Sequence, residues 1–115
     1  MIRRLWTAAR CGWWAARSVR AVRRELRVRP VGEVRVPPPP TAPGRRGERG
    51  VSLALRRFEP SCLERALVLQ RWLAARGDPR DVVIGVTAPD ADFRAHAWLD
   101  GESPHEFREI ARVAP

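Results

Sequence analysis

Four consecutive prolines, Pro37 to Pro40, constrain this chain more than any other stretch of it. Proline fixes φ and carries no N–H, so neither a helix nor a central strand can run through such a segment. Pro30 stops whatever precedes it, and TAPG and GRRGERG follow the prolines. Residues 30–50 therefore read as a linker, stiff polyproline first and then flexible and basic. Ordered elements are expected in residues 1–29 and from residue 51 onward. At 115 residues the chain is one small domain with a modest core.

The two sides differ in charge. Residues 1–50 carry 13 Arg against Glu25, Glu33 and Glu48, whereas residues 51–115 carry 9 Arg against 10 acids. Every basic residue is arginine. Residues 2 to about 28 read as a helix, with Leu5, Ala9, Trp13, Ala16, Val22 and Leu26 on one or two adjacent apolar stripes and arginines elsewhere. Arginine interleaved with Trp6, Trp13 and Trp14 suits an anionic membrane surface, the core or a protein partner. Without a recognised nucleic-acid-binding motif, nucleic acid is not expected as a partner. No apolar run reaches the length of a membrane span, and Arg10 and Arg17 interrupt any signal-peptide pattern. Two cysteines, without CxxC or zinc-ligand spacing, make neither a disulfide framework nor a metal site, so a cytoplasmic chain with reduced thiols is expected.

From Val51 the pattern changes. VSLALRRF (Val51 to Phe58) reads as a short helix or a turn and helix. Ser61 to Glu64 spells S-x-x-E, a capping box that makes Ser61 the N-cap and Cys62 the first residue of the next helix. On that helix Cys62, Ala66, Leu69 and Leu73 share a stripe flanked by Leu63, Leu67 and Val68, while Glu64, Arg65 and Arg71 point elsewhere. Gly77 ends it. Val82 to Ala88 is a β-branched strand, Pro89 to Asp92 turns the chain, and Phe93 to Leu99 alternates, with Arg94, His96 and Trp98 on one face. Asp100-Gly101 signals a hairpin, and Glu106 to Val113 is the third strand.

This order, helix then three strands, places a cysteine at a helix start and a histidine on a strand. Unpaired N–H groups and the helix dipole favour a thiolate at such a position and can hold an oxyanion. A histidine beside it would act as general base and then acid, and a carboxylate would orient the imidazole. Cys62 and His96 are the residues in those places. Cys11, in the N-terminal helix, reads as a small neutral filler, and Trp98 as packing beside His96.

The stretches Cys62-Leu63-Glu64-Arg65, Gly77-Asp78-Pro79, Val83-Ile84-Gly85-Val86 and Ala95-His96-Ala97-Trp98 occur in that order. Together they resemble the transglutaminase-like leader peptidases of lasso-peptide biosynthesis, papain-type cysteine proteases of the microcin-processing class. The likeness covers about residues 51–113. It implies an α+β fold: a transglutaminase/papain-like core, with a helix packed on a small antiparallel sheet, behind an N-terminal basic helix (1–29) and the proline-rich linker (30–50). It implies Cys62 as nucleophile and His96 as base. The family places its aspartate on the strand after the histidine, across the hairpin. Here that position falls near His105 to Phe107, which makes Glu106 the best-placed carboxylate, with Glu102 and Asp100 behind it.

The implied activity is removal of the leader from a ribosomally made precursor peptide, after a leader whose second-last residue is commonly threonine. The implied partners are that precursor, a separate leader-recognition-element protein and an asparagine-synthetase-like cyclase. Residues 1–50 show no strand pattern that could build a leader-binding domain, which fits the split arrangement. Nothing points to a cofactor, and a nucleotide requirement is left open. The alternative is a catalytically impaired scaffold that binds peptide within the same maturation complex.

Overall fold

The computed structural model describes residues 2–41, 44–88, 92–102, 104 and 106–115. In chain order its elements are helix α1 (Ile2–Leu26), a 3₁₀ turn (Val31–Glu33), helices α2 (Arg45–Phe58) and α3 (Cys62–Ala75), and strands β1 (Val82–Thr87), β2 (Ala95–Leu99) and β3 (Phe107–Val113). The fold is α+β, three helices packed on a small three-stranded antiparallel sheet. The first residues of the expected turn at 89–92, and His105, lie outside the described residues.

The buried stripe of α1 is Cys11, Trp14, Ala15, Ser18, Val19 and Val22. Leu5 and Trp13, expected on the apolar face, are exposed instead. The reason is α2. Gly50 sits so close to α1 that an added Cβ would lie 2.1 Å from the Ala8 carbonyl oxygen, and Gly12 faces Gly50 in turn. Small residues set the line of approach, and the large ones beside it turn outward.

α2 begins at Arg45, inside the stretch expected to be linker, and buries Gly47, Gly50, Val51 and Leu55. The remainder of that stretch is extended but not loose. Val31, Val34 and Val36 pack against the core. The Trp14 indole N–H donates to the Pro37 carbonyl (3.0 Å), and the Arg35 backbone N–H donates to the Glu25 carboxylate (3.0 Å).

α3 starts at the expected cap and ends at Gly77, whose φ of +82° suits glycine. The Gly77 and Asp78 N–H groups close back on the carbonyls of Ala74 and Leu73, the pattern of a Schellman end. Its buried positions are Glu64, Ala66, Leu67, Val68, Gln70 and Trp72, whereas Leu69 and Leu73 are only half-buried. Glu64 thus turns inward, against the sequence expectation. Trp72 meets Trp14 with ring centroids 5.7 Å apart.

The strand order is β2-β1-β3, both pairs antiparallel. Asp100 and Gly101 do turn the chain, with Gly101 at φ +103°. The strand that follows does not close a hairpin on β2: β3 pairs with β1, Phe107 opposite Thr87 and Val113 opposite Val82. Val82, Ala97 and Leu99 join the helices in one core, with Ile84 and Val113 against it. Alternation then puts Val83, Gly85, His96 and Trp98 on the opposite face of the sheet.

Candidate functional site

The amino end of α3 is built as the capping box dictates. The Ser61 hydroxyl accepts the Glu64 N–H (3.2 Å), the Glu64 carboxylate accepts the Ser61 N–H (2.9 Å), and the Arg65 N–H closes on the Ser61 carbonyl (2.9 Å). Among the described residues, the N–H groups of Cys62 and Leu63 are left without an acceptor. Two free donors and the positive end of the helix dipole therefore surround a half-buried free thiol. The arrangement offers two N–H groups to an oxyanion formed beside it.

Glu64 adds a feature not legible from local sequence. Its carboxylate forms a bidentate pair with Arg23 of α1, Nε and Nη2 each 3.0 Å from an oxygen. The Arg23 guanidinium, helped by Ser61, holds the Glu64 carboxyl below the usual carboxylate range against the opposing effect of burial. The buried acid near the sulfur is thereby charge-balanced. Its partner lies 41 residues away, so no spacing rule points to it.

His96 stands opposite Gly85 on β1. Its ring lies 5.0 Å from that of Phe107 and 5.9 Å from that of Trp98, so Trp98 does pack beside it. Gly85 is required here, since an added Cβ would come within 2.6 Å of the Trp98 ring. This aromatic group occupies the sheet face turned away from α3. Gln70, halfway along α3, donates to the carbonyls of Arg80 and Val113, at the end of the sheet where β1 begins and β3 finishes. Cys62 lies about 12 Å along the helix from that anchor, from the rise per residue. His96 lies about 10 Å along β2 from Leu99 at the same end. Cys62 packs against the core on the helix side of the sheet, whereas His96 is on the other face.

The carboxylates considered for the third position are engaged elsewhere or open to solvent. Glu106 is exposed and pairs with Arg94 (3.3 Å). Asp100 pairs with Arg112 (3.1 Å), which also holds Glu109 (2.7 Å) and Asp81 (3.5 Å). Glu102 is exposed in the turn. None of the described residues hydrogen-bonds the His96 ring. Pairing of β3 with β1 instead of β2 is what removes Glu106 from the position opposite the imidazole.

Between the end of α2 and the start of α3 lies a groove of about 550 Å³ lined by Ser52, Leu55, Arg56, Glu59, Pro60, Arg65 and Leu69, and Cys62 is not among its lining residues. It offers apolar side chains and two guanidinium groups. Arg65, read as a solvated position, lines it. Cys11 is fully buried, and burial pushes its thiol up. The described residues hold no group of three His, Cys, Asp or Glu that could bind a metal. None of their helices is long and apolar enough to cross a membrane.

A family model described as the transglutaminase-like superfamily matches residues 5–112, which takes in α1 and the proline-rich stretch as well as the segment from residue 51. Searches of the curated proteins and of the solved structures found no match.

Proposed function

The chain belongs to the transglutaminase-like superfamily, and from that premise we propose that it is a cysteine peptidase removing the leader from a ribosomally synthesised lasso-peptide precursor. The observation that carries this reading is the capped helix start, where a half-exposed Cys62 thiol lies beside two unclaimed backbone N–H groups. The four motifs named from the sequence, in their order, supply the substrate class. In this reaction Cys62 attacks the scissile carbonyl, and the N–H groups of Cys62 and Leu63 hold the oxyanion. His96 takes the thiol proton and delivers it to the leaving amine, and water then hydrolyses the thioester. The recognition-element protein presents the leader, and the cyclase receives the freed core peptide. The chain acts without a resident cofactor.

This chemistry sets a geometric condition. His96 lies on the sheet face away from the helices, and pairing of β2 with β1 one residue out of its present register would turn it to the other face. β2 is a five-residue edge strand with one neighbour, and such a slip would turn Ala97 and Leu99 out of the core. The register seen here favours a second reading, a scaffold that binds the precursor without cleaving it. Cleavage of the precursor in the presence of the recognition-element protein separates the two. The peptidase reading expects release of the leader by the wild type, and loss of at least a thousandfold in Cys62→Ala and His96→Ala. Binding of the precursor by a wild-type protein that never cleaves it would leave the scaffold.

A further inference from the structure

Trp6, Arg10, Trp13, Arg17, Arg20 and Arg24 follow one another along α1 at alternating steps of four and three, so they form a single stripe. The stripe faces away from the core, because Cys11, Trp14, Ala15, Ser18, Val19 and Val22 hold the opposite side of the helix inside it. Trp6 and Trp13 are 65% and 67% exposed, while Trp14 next to them is 7% exposed. The four arginines are exposed and, among the described residues, have neither an acid nor a carbonyl partner. Arg23, just off the stripe, shows the contrast, since it is tied to Glu64. No acid occurs on α1 before Glu25, which is engaged by Arg29 and the Arg35 backbone N–H.

We propose that this ridge docks the protein, with α1 lying flat, on an anionic lipid surface. Indole rings settle at the headgroup level, where one edge is apolar and the N–H is hydrated, and guanidinium groups pair with lipid phosphates. The stripe spans about 27 Å in a straight line, from the helix rise. A straight row of exposed cations and indoles of that length matches a plane of phosphates. Two kinds of attraction combine, as stable interfacial binding requires: apolar insertion by two tryptophans and long-range attraction by four arginines. This inference stands apart from the peptidase reading and from the state of β2.

The test is co-sedimentation of the full chain with vesicles of phosphatidylcholine alone and of phosphatidylcholine with about a third phosphatidylglycerol. The expected result is binding to the anionic vesicles only, falling steeply with salt, with a blue shift of tryptophan emission. Arg17→Ala or Arg20→Ala should each weaken partitioning roughly fivefold, and replacement of all four arginines by roughly a hundredfold or more. The double variant Trp6→Ala/Trp13→Ala should weaken binding about tenfold and remove the blue shift. All these side chains lie outside the core, so circular dichroism should be unchanged. Equal binding to both vesicle types would overturn the proposal, as would anionic binding indifferent to the stripe. Tighter binding to duplex DNA than to the vesicles at matched phosphate, without a spectral shift, would overturn it in favour of a nucleic-acid surface.

Discussion

Two thiols in one small chain make each other's control. Cys62 is half-buried at the amino end of a helix, whereas Cys11 is at 0% exposure and its thiol is pushed up by burial. Iodoacetamide should therefore modify Cys62 alone in the native protein and both residues in denaturant, as read by peptide mass spectrometry. Equal, slow labelling of the two would remove the nucleophile assignment. Glu64 allows a second measurement. Its carboxyl is depressed in the folded state from an ordinary value of 4.5, chiefly by Arg23. A depressed carboxylate contributes stability that is complete above the unfolded value and lost as the pH falls through the folded one. At pH 7, Glu64→Gln should cost about 1–3 kcal/mol in urea unfolding, through the lost pair and the weakened cap. The gap to the wild type should close as the pH drops below the usual carboxylate range. A gap of constant size from pH 7 to pH 3 would mean that the ion pair contributes nothing. Half of this arrangement was legible: Ser61 and Glu64 spell the box within four residues. Arg23 was not, because its link to Glu64 depends on how α1 crosses α3.

Helix faces, one scale up, are decided by the smallest residues. Where Gly50 meets Ala8, a methyl group has no space, so Gly50→Ala must push α1 and α2 apart. It should cost about 2–4 kcal/mol, the range for overpacking against backbone and disturbing the core contacts beyond. Gly32→Ala, with nothing within 4 Å, should stay within about 0.5 kcal/mol in the same thermal melts. Similar losses for both would mean that the helix contact is not the cause. The sequence pattern for α1 read the large apolar residues correctly as helical and placed Val22 and Leu26 on the core side, but it put Leu5 and Trp13 there as well, and both are exposed. Hydropathy scores Trp13 and Trp14 alike, and only the partner helix separates them. The strands were legible almost to the residue, since β-branched runs and alternation are local signals. Their order was not: a turn at Asp100-Gly101 implies a neighbouring hairpin strand, yet β3 crosses to the far side of β1. The peptidase reading requires β2 to leave this register against the burial of Ala97 and Leu99, and so to do it only with substrate bound. A His96→Cys variant should thus form a bis-maleimide cross-link to Cys62 only with precursor and recognition-element protein present. Cross-linking that never exceeds the background of the protein alone would argue that the register is fixed.

For the molecule as a whole, the question is what the segment from residue 51 can do by itself. Read as sequence, it carries every candidate catalytic residue and looks like the domain, with α1 and the linker as an extension. The core contradicts that division physically. Cys11, Trp14, Ala15, Val19 and Val22 of α1 pack in the same cluster as Val51, Leu67, Val68, Trp72, Val82 and Leu99. The linker is pinned by the Trp14–Pro37 hydrogen bond and by three half-buried valines. The family match from residue 5 agrees with this single unit. Each large apolar side chain fully buried contributes about 1.5–3 kcal/mol. Trp14, Val19 and Val22, together with the Trp14–Trp72 contact, are therefore comparable with the 5–15 kcal/mol that typically separates a folded domain from its unfolded chain. A protein of residues 51–115 should accordingly show no cooperative thermal transition by circular dichroism, although it retains Cys62 and His96. Adding residues 1–50 as a separate peptide should restore a transition whose midpoint rises with peptide concentration, because association is then part of folding. Cooperative melting of 51–115 alone, at the temperature of the intact chain, would show that α1 is an ornament on the fold and not part of its core.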